Sequence, residues 1–143
     1  MTMMIEFLSP DGSSRVMVEA DQRTVYAYLQ CNGEIVSDVW LANLVEPPRA
    51  PEWKDQGAQL PFLNPGKYCR RICDRQFALN DLSVAWGEER GAVSATLLSG
   101  DGRYAVLVDG VKPGWCFNAI KDGPLAKSWP SEQPSDGPLA AEQ

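Results

Sequence analysis

The chain has 143 residues, 44% of them hydrophobic and 22% charged. A single domain of that size buries roughly 68–70% of its unfolded surface, so it needs neither a metal nor a disulfide to fold. Nineteen acidic against 13 basic side chains give a formal charge of −6, which disfavours phosphate backbones as partners and draws in a basic one.

In chain order, the first third reads as a β-meander. Ile5–Leu8 is a short apolar run, and Ser9-Pro10-Asp11-Gly12 supplies turn chemistry. Arg15–Glu19 follows as a second strand. Val25–Cys31 is rich in the β-branched and aromatic residues that strands favour. Asn32-Gly33 is the preferred pair for a type I′ hairpin turn, and Glu34–Leu41 returns. An unbroken two-residue hairpin would set Leu29 opposite Val36 and Val25 opposite Trp40. One face would then carry Val25, Ala27, Leu29, Val36 and Trp40, and the other Tyr26, Tyr28, Ile35, Val39 and Leu41. Neither face is fully polar, so this hairpin should be central, or covered on both sides.

Residues 46–66 carry Pro47, Pro48, Pro51, Pro61 and Pro65, which break regular structure. Trp53, Leu60, Phe62 and Leu63 are interspersed, so this long loop should pack over the sheet. Asn64-Pro65 reads as an N-cap and first helical position. Cys69, Ile72, Cys73 and Phe77 then fall at helical spacing, predicting a short amphipathic helix over 65–79. A second meander follows, with strands over 82–86, 92–98, 104–108 and 115–120 and turns over 87–91, 99–102 and 109–114. From Lys121 the composition becomes polar and rich in Pro and Gly, as flexible tails are.

The chain contains no histidine, which removes the commonest general base and the commonest transition-metal ligand. Its cysteines are Cys31, Cys69, Cys73 and Cys116, with no Cys-x-x-Cys. Zinc-site grammar is therefore missing, and neither metal nor other cofactor is expected. A nucleophilic Ser or Cys would lack its usual base, and neither Gly-x-Ser-x-Gly nor Ser-x-x-Lys occurs. Phosphate-binding glycine motifs are absent too. The first residues lack the basic n-region of a signal peptide, and no run approaches the ~20 apolar residues of a membrane helix. A soluble, cytoplasmic protein with free thiols is the expectation.

Two surface features stand out. Lys67, Arg70, Arg71 and Arg75 gather against the single acid Asp74, either as an anion contact or as a solvated face. The net charge favours the solvated face and makes nucleic acid an unexpected partner. Aromatics outside the expected core, with neighbouring acids, suggest a protein contact surface: Trp53, Tyr26 and Tyr28 with Glu46, Glu52, Asp55, Glu88 and Glu89.

The sequence thus predicts a mainly β fold, a β-sandwich or strongly curved antiparallel sheet from two meanders, with one short α-helix; α+β is the alternative. Residues 1–121 would form the domain and 122–143 a tail. The expected function is that of a non-catalytic binding protein for a basic protein partner, of the kind exemplified by immunity proteins that neutralise a toxin. The alternative is a small-molecule-binding β-barrel, or a small enzyme using carboxylates such as Asp38, Asp101 or Asp109 in a deep pocket.

Overall fold

A computed structural model describes residues 2–100 and 102–129. The expected meanders form two sheets. The first runs β1 (Met3–Leu8), β2 (Ser14–Ala20), β3 (Thr24–Cys31) and β4 (Glu34–Asn43), antiparallel and in sequence order. The second runs β5 (Ser83–Glu89), β6 (Ala92–Ser99), β7 (Gly102–Val108), β8 (Trp115–Cys116) and β9 (Lys127–Ser128), with only β9 parallel to its neighbour. Neither sheet closes into a barrel. Among the described residues, no helix is long and apolar enough to cross a membrane.

Local chemistry explains the turns. Asp11 Oδ1 accepts the Ser13 N–H at 2.9 Å and both flanking serine hydroxyls, and these bonds lower its pKa. Asn32 and Gly33 both take positive φ, as a type I′ turn requires. Arg90 and Gly91 do the same between β5 and β6, so that turn is tighter than the expected 87–91. Glu88 and Glu89 consequently lie in β5, paired with Val93 and Ala92.

The β3–β4 register departs from the unbroken hairpin. Cys31 faces Glu34 as expected, but the ladder slips once between Leu29 and Gln30 and again between Val25 and Tyr26. Val36 and Leu41 are the extra residues. The first slip turns Asp38 and Trp40 onto the tyrosine face, opposite Tyr28 and Tyr26, and sends Val39 to the Ala27 face. Bulges commonly re-aim side chains in this way.

One core lies between the sheets. Val16, Val18, Ala27, Leu29 and Val39 come from the first sheet, and Ala95, Leu97, Ala105 and Leu107 from the second. Burying each of the large aliphatics stabilises by roughly 1.5–3 kcal/mol. Strand β7 is covered on its other face as well: Val106 and Val108 pack against Trp115 and Trp129. The sheets are also joined through backbone. The extra residue Leu41 offers its carbonyl to the Tyr104 hydroxyl at 2.8 Å and to Asn118 Nδ2 at 3.2 Å. Along the free side of β4, Gly110 and Gly114 donate N–H to the carbonyls of Val36 and Asp38, and Trp40 donates to that of Leu125. Residues 122–129 therefore belong to this packed unit, while 130–143 lie outside the described residues.

The expected helix over 65–79 does not form. Only single 3₁₀ turns occur, at Gly66–Tyr68 and Leu79–Asp81, with a third at Glu52–Lys54. The reason is tertiary capture of the backbone. Arg70 N–H goes to the Asn118 carbonyl, Arg71 N–H to Asn118 Oδ1, and Asp74 N–H to the Asn43 carbonyl, all at 2.7 Å. Fully buried Asn43 binds this segment further. Its Nδ2 donates to the carbonyls of Asn64 and Ile72 at 2.8 and 2.9 Å, and its Oδ1 accepts from Asn64 N–H and Trp40 Nε1. The N–H groups of Arg70, Arg71 and Asp74 and the carbonyl of Ile72 are groups a helix would have used internally.

All four cysteines are free; Cys31, Cys69 and Cys116 are buried and Cys73 is half-buried. Burial pushes the Cys69 and Cys116 thiols up to about 12, so both are inert packing groups at neutral pH.

Candidate functional site

Tyr26 and Tyr28 are two apart in β3, so both project from one face. Their rings lie nearly parallel, 17° apart, with centroids separated by 6.3 Å. Tyr26 is almost fully buried and donates its hydroxyl to the Phe62 carbonyl at 2.6 Å. Tyr28 is half-buried, and the bulge at Val36 sets Asp38 directly opposite it. Together these three form the floor of a cleft of about 380 Å³. Leu60, Pro61 and Phe62 make one wall, and Pro124 with Leu125 the other. Leu60 is 70% exposed and gives the rim an apolar lip.

The loop wall is held by one charged side chain. Arg23 donates to the carbonyls of Gln59 and Pro61 and forms an ion pair with Glu52. Glu52 Oε1 accepts the Leu63 N–H at 2.8 Å. The Leu60–Pro61 peptide in this wall is cis. The opposite wall is fixed by the bond from Trp40 N–H to the Leu125 carbonyl.

The electrostatics of the cleft are negative. Burial, followed by the charges of Glu19, Asp38 and Asp21, pushes the Tyr28 phenol up to about 12. Tyr26 is raised further, chiefly by burial, with Tyr28, Asp38 and Glu52 adding and Arg23 opposing. Both phenols are therefore neutral at physiological pH, and of the two rings only the half-buried Tyr28 is substantially open to solvent. Asp21 spends its carboxylate on the N–H groups of Arg23 and Thr24. Asp38 has no hydrogen-bond or ion-pair partner for its carboxylate among the described residues. Stacked aromatic faces beside an unpaired carboxylate suit an ammonium or guanidinium group.

The residues singled out in the sequence fall into separate places. Tyr26, Tyr28 and Glu52 converge on the cleft, with Glu52 turned inward as a brace. Trp53 is half-buried and stands edge-to-face on Tyr68, at 5.8 Å. Asp55 is exposed and accepts the Gly57 N–H, and Glu46 is exposed on the preceding stretch. Glu88 and Glu89 belong to the second sheet. Of the carboxylates considered for an enzyme, Asp38 lines the cleft, Asp109 follows β7, and Asp101 lies outside the described residues. Sequence reasoning did not place Asp38 beside the tyrosines, nor the Leu60–Phe62 and Leu125 walls. The only local signal was the pair of tyrosines at strand spacing.

Fold and cleft together define the class: a two-sheet, mainly antiparallel β protein with an acidic, aromatic cleft. Compared with protein families, curated proteins and solved structures, the chain gives no match.

Proposed function

We propose that this chain is a non-catalytic, cytoplasmic binding protein whose tyrosine-lined cleft receives a lysine or arginine side chain of a basic partner protein. The supporting observation is the Tyr26–Tyr28 stack beside the unpaired carboxylate of Asp38, in a cleft with an apolar lip. The Tyr28 ring, backed by Tyr26, attracts a cation, the carboxylate neutralises it, and the net charge of −6 steers it in. Leu60 at the rim supplies apolar contact around the charge, as interface cores do. A basic toxin held by an immunity-type protein is one partner of this chemistry. Exposed Glu46 and Asp55, on the stretch that runs into the loop wall, would guide approach rather than hold the partner.

The test is capture from native cytosol on immobilised wild-type protein, beside Tyr28→Ala and Asp38→Asn. One stoichiometric basic protein should be retained by wild type. Its affinity should fall about tenfold in each variant, consistent with a partly desolvated cation–π or charge contact. Retention of no protein, or of the same protein equally by all three, would refute the proposal.

A further inference from the structure

A second concavity has the opposite character. It is about 780 Å³ in volume and is bounded by the irregular segment after Cys69, the start of β7 and the residues after β8. Four arginines line it against two aspartates, on a protein whose overall charge is −6. Such a local inversion of sign in a ligand-sized hollow calls for an explanation beyond solvation.

The arginines are not equivalent. Arg70 is the most constrained. Its guanidinium lies over the Phe117 ring at 4.3 Å, and its Nε donates to the Phe117 carbonyl at 3.0 Å. Those two contacts fix the plane of the fork while its terminal nitrogens have no partner among the described residues. Arg71 is drawn to Asp74 at 3.5 Å. Arg75 is exposed and has no ion-pair partner among the described residues. Arg103 stands on the β7 side. The wall carrying Arg70 and Arg71 is itself rigidly held, because both backbone N–H groups are bound by Asn118.

A stacked, oriented guanidinium has already lost much of the freedom that binding would take from it. Its planar fork matches the oxygens of a phosphate in a way a lysine cannot. The hollow also carries aromatic surface: Phe77 packs edge-on against Tyr104 at 5.7 Å, and Phe117 is 44% exposed. A bare anion would leave that surface unused.

We infer that this groove binds a small organic phosphate, with the phosphate on Arg70 and Arg75 and a flat or apolar body against Phe77 and Phe117. The site is separate from the tyrosine cleft and does not depend on its role.

Adenosine triphosphate, inorganic pyrophosphate and adenosine serve as probes in calorimetric titrations of the full chain at low salt. Adenosine triphosphate should bind more tightly than pyrophosphate, and adenosine should not bind measurably. Arg70→Ala and Arg75→Ala should each weaken binding about tenfold, the loss expected for a hydrogen-bonded charge contact. Arg70→Lys should recover little, since it keeps the charge but loses the fork. A readout on the unmodified protein is alkylation of Cys73, the one cysteine that is not buried, which lines this groove. Bound adenosine triphosphate should slow it. No binding of either phosphate at millimolar concentration would overturn the inference, as would equal affinity in wild type and both alanine variants, or adenosine binding as well as its triphosphate. Tight binding of a single-stranded oligonucleotide without binding of adenosine triphosphate would also overturn it and assign the groove to nucleic acid.

Discussion

The β3–β4 hairpin and the segment from Leu44 to Leu82 are ordered by different means. In the hairpin, order comes from a ladder of backbone bonds shared among many residues, with β3 also paired to β2. In the segment, the only regular elements are three short 3₁₀ turns. Its course is set by a few residues in or beside the sheets, through side chain and backbone: Asn43, Arg23, Tyr26 and Asn118. A ladder spreads stability over many equivalent bonds, whereas a segment bound this way concentrates it. Loss of one side chain should therefore matter more for the segment than for the ladder.

The strongest way to break this contrast is Asn43→Ala. It leaves Trp40 Nε1 and Asn64 N–H without acceptors in a fully buried place. A loss of about 3 kcal/mol or more is expected in urea denaturation. A loss below about 1 kcal/mol would mean that the segment holds itself.

Glu52→Gln comes next. The pair with Arg23 is mostly buried, with side chains 18% and 13% exposed, and Glu52 also holds Leu63. About 2 kcal/mol should be lost, since hydrogen bonds to charged groups exceed neutral ones. The loss should be seen as a lower urea midpoint and faster proteolysis within residues 55–63.

A pH measurement sharpens the comparison at the seam, where Tyr26 joins hairpin to loop. An unfolded phenol titrates near 10. Tyr28 is held up to about 12 in the fold, mainly by burial. Above about pH 10 the unfolded chain releases protons that the folded one retains, so stability is full below that point and falls as pH rises toward 12. The melting temperature should decline over this window. Tyr28→Phe should make the decline shallower, with Tyr26 and Tyr104, both also raised, supplying the rest.

The smallest effect belongs to the ladder's exterior. Arg15 and Glu6 form an ion pair between β2 and β1, with side chains 41% and 44% exposed. Arg15→Ala should shift stability by no more than about 0.5 kcal/mol. A larger shift would show that this sheet also depends on individual side chains.

The same contrast explains what could be read from the sequence. The strands of the first sheet were legible because composition, alternation and the Asn32-Gly33 turn act over a few residues. The helix expected over 65–79 was a misreading of Cys69, Ile72, Cys73 and Phe77, whose spacing fits a helical stripe. What decides their conformation is Asn43, reaching the carbonyl of Ile72 from 29 positions away, and Asn118, reaching Arg71 from 47. No window on the local sequence contains those partners. The cleft was half legible: Tyr26 and Tyr28 announce a shared face by spacing alone. Asp38 did not, because only the extra residue Val36 turns it toward them. Glu88 and Glu89 were read as turn residues because Arg90-Gly91 lacks the Asn or Asp that usually marks a type I′ turn.

The fastening of β4 has a consequence for how molecules of this protein could add to one another. Its outer rail is occupied by Gly110, Gly114 and Leu125, so no foreign strand can pair there. The opposite rail of the same sheet, β1, has no strand beyond it among the described residues and exposes Met3, Met4 and Leu8. Strand addition to this sheet is thus confined to β1: two chains paired edge to edge there would leave no edge of this sheet for a third, and a charged residue or a proline in β1 would prevent even that pairing.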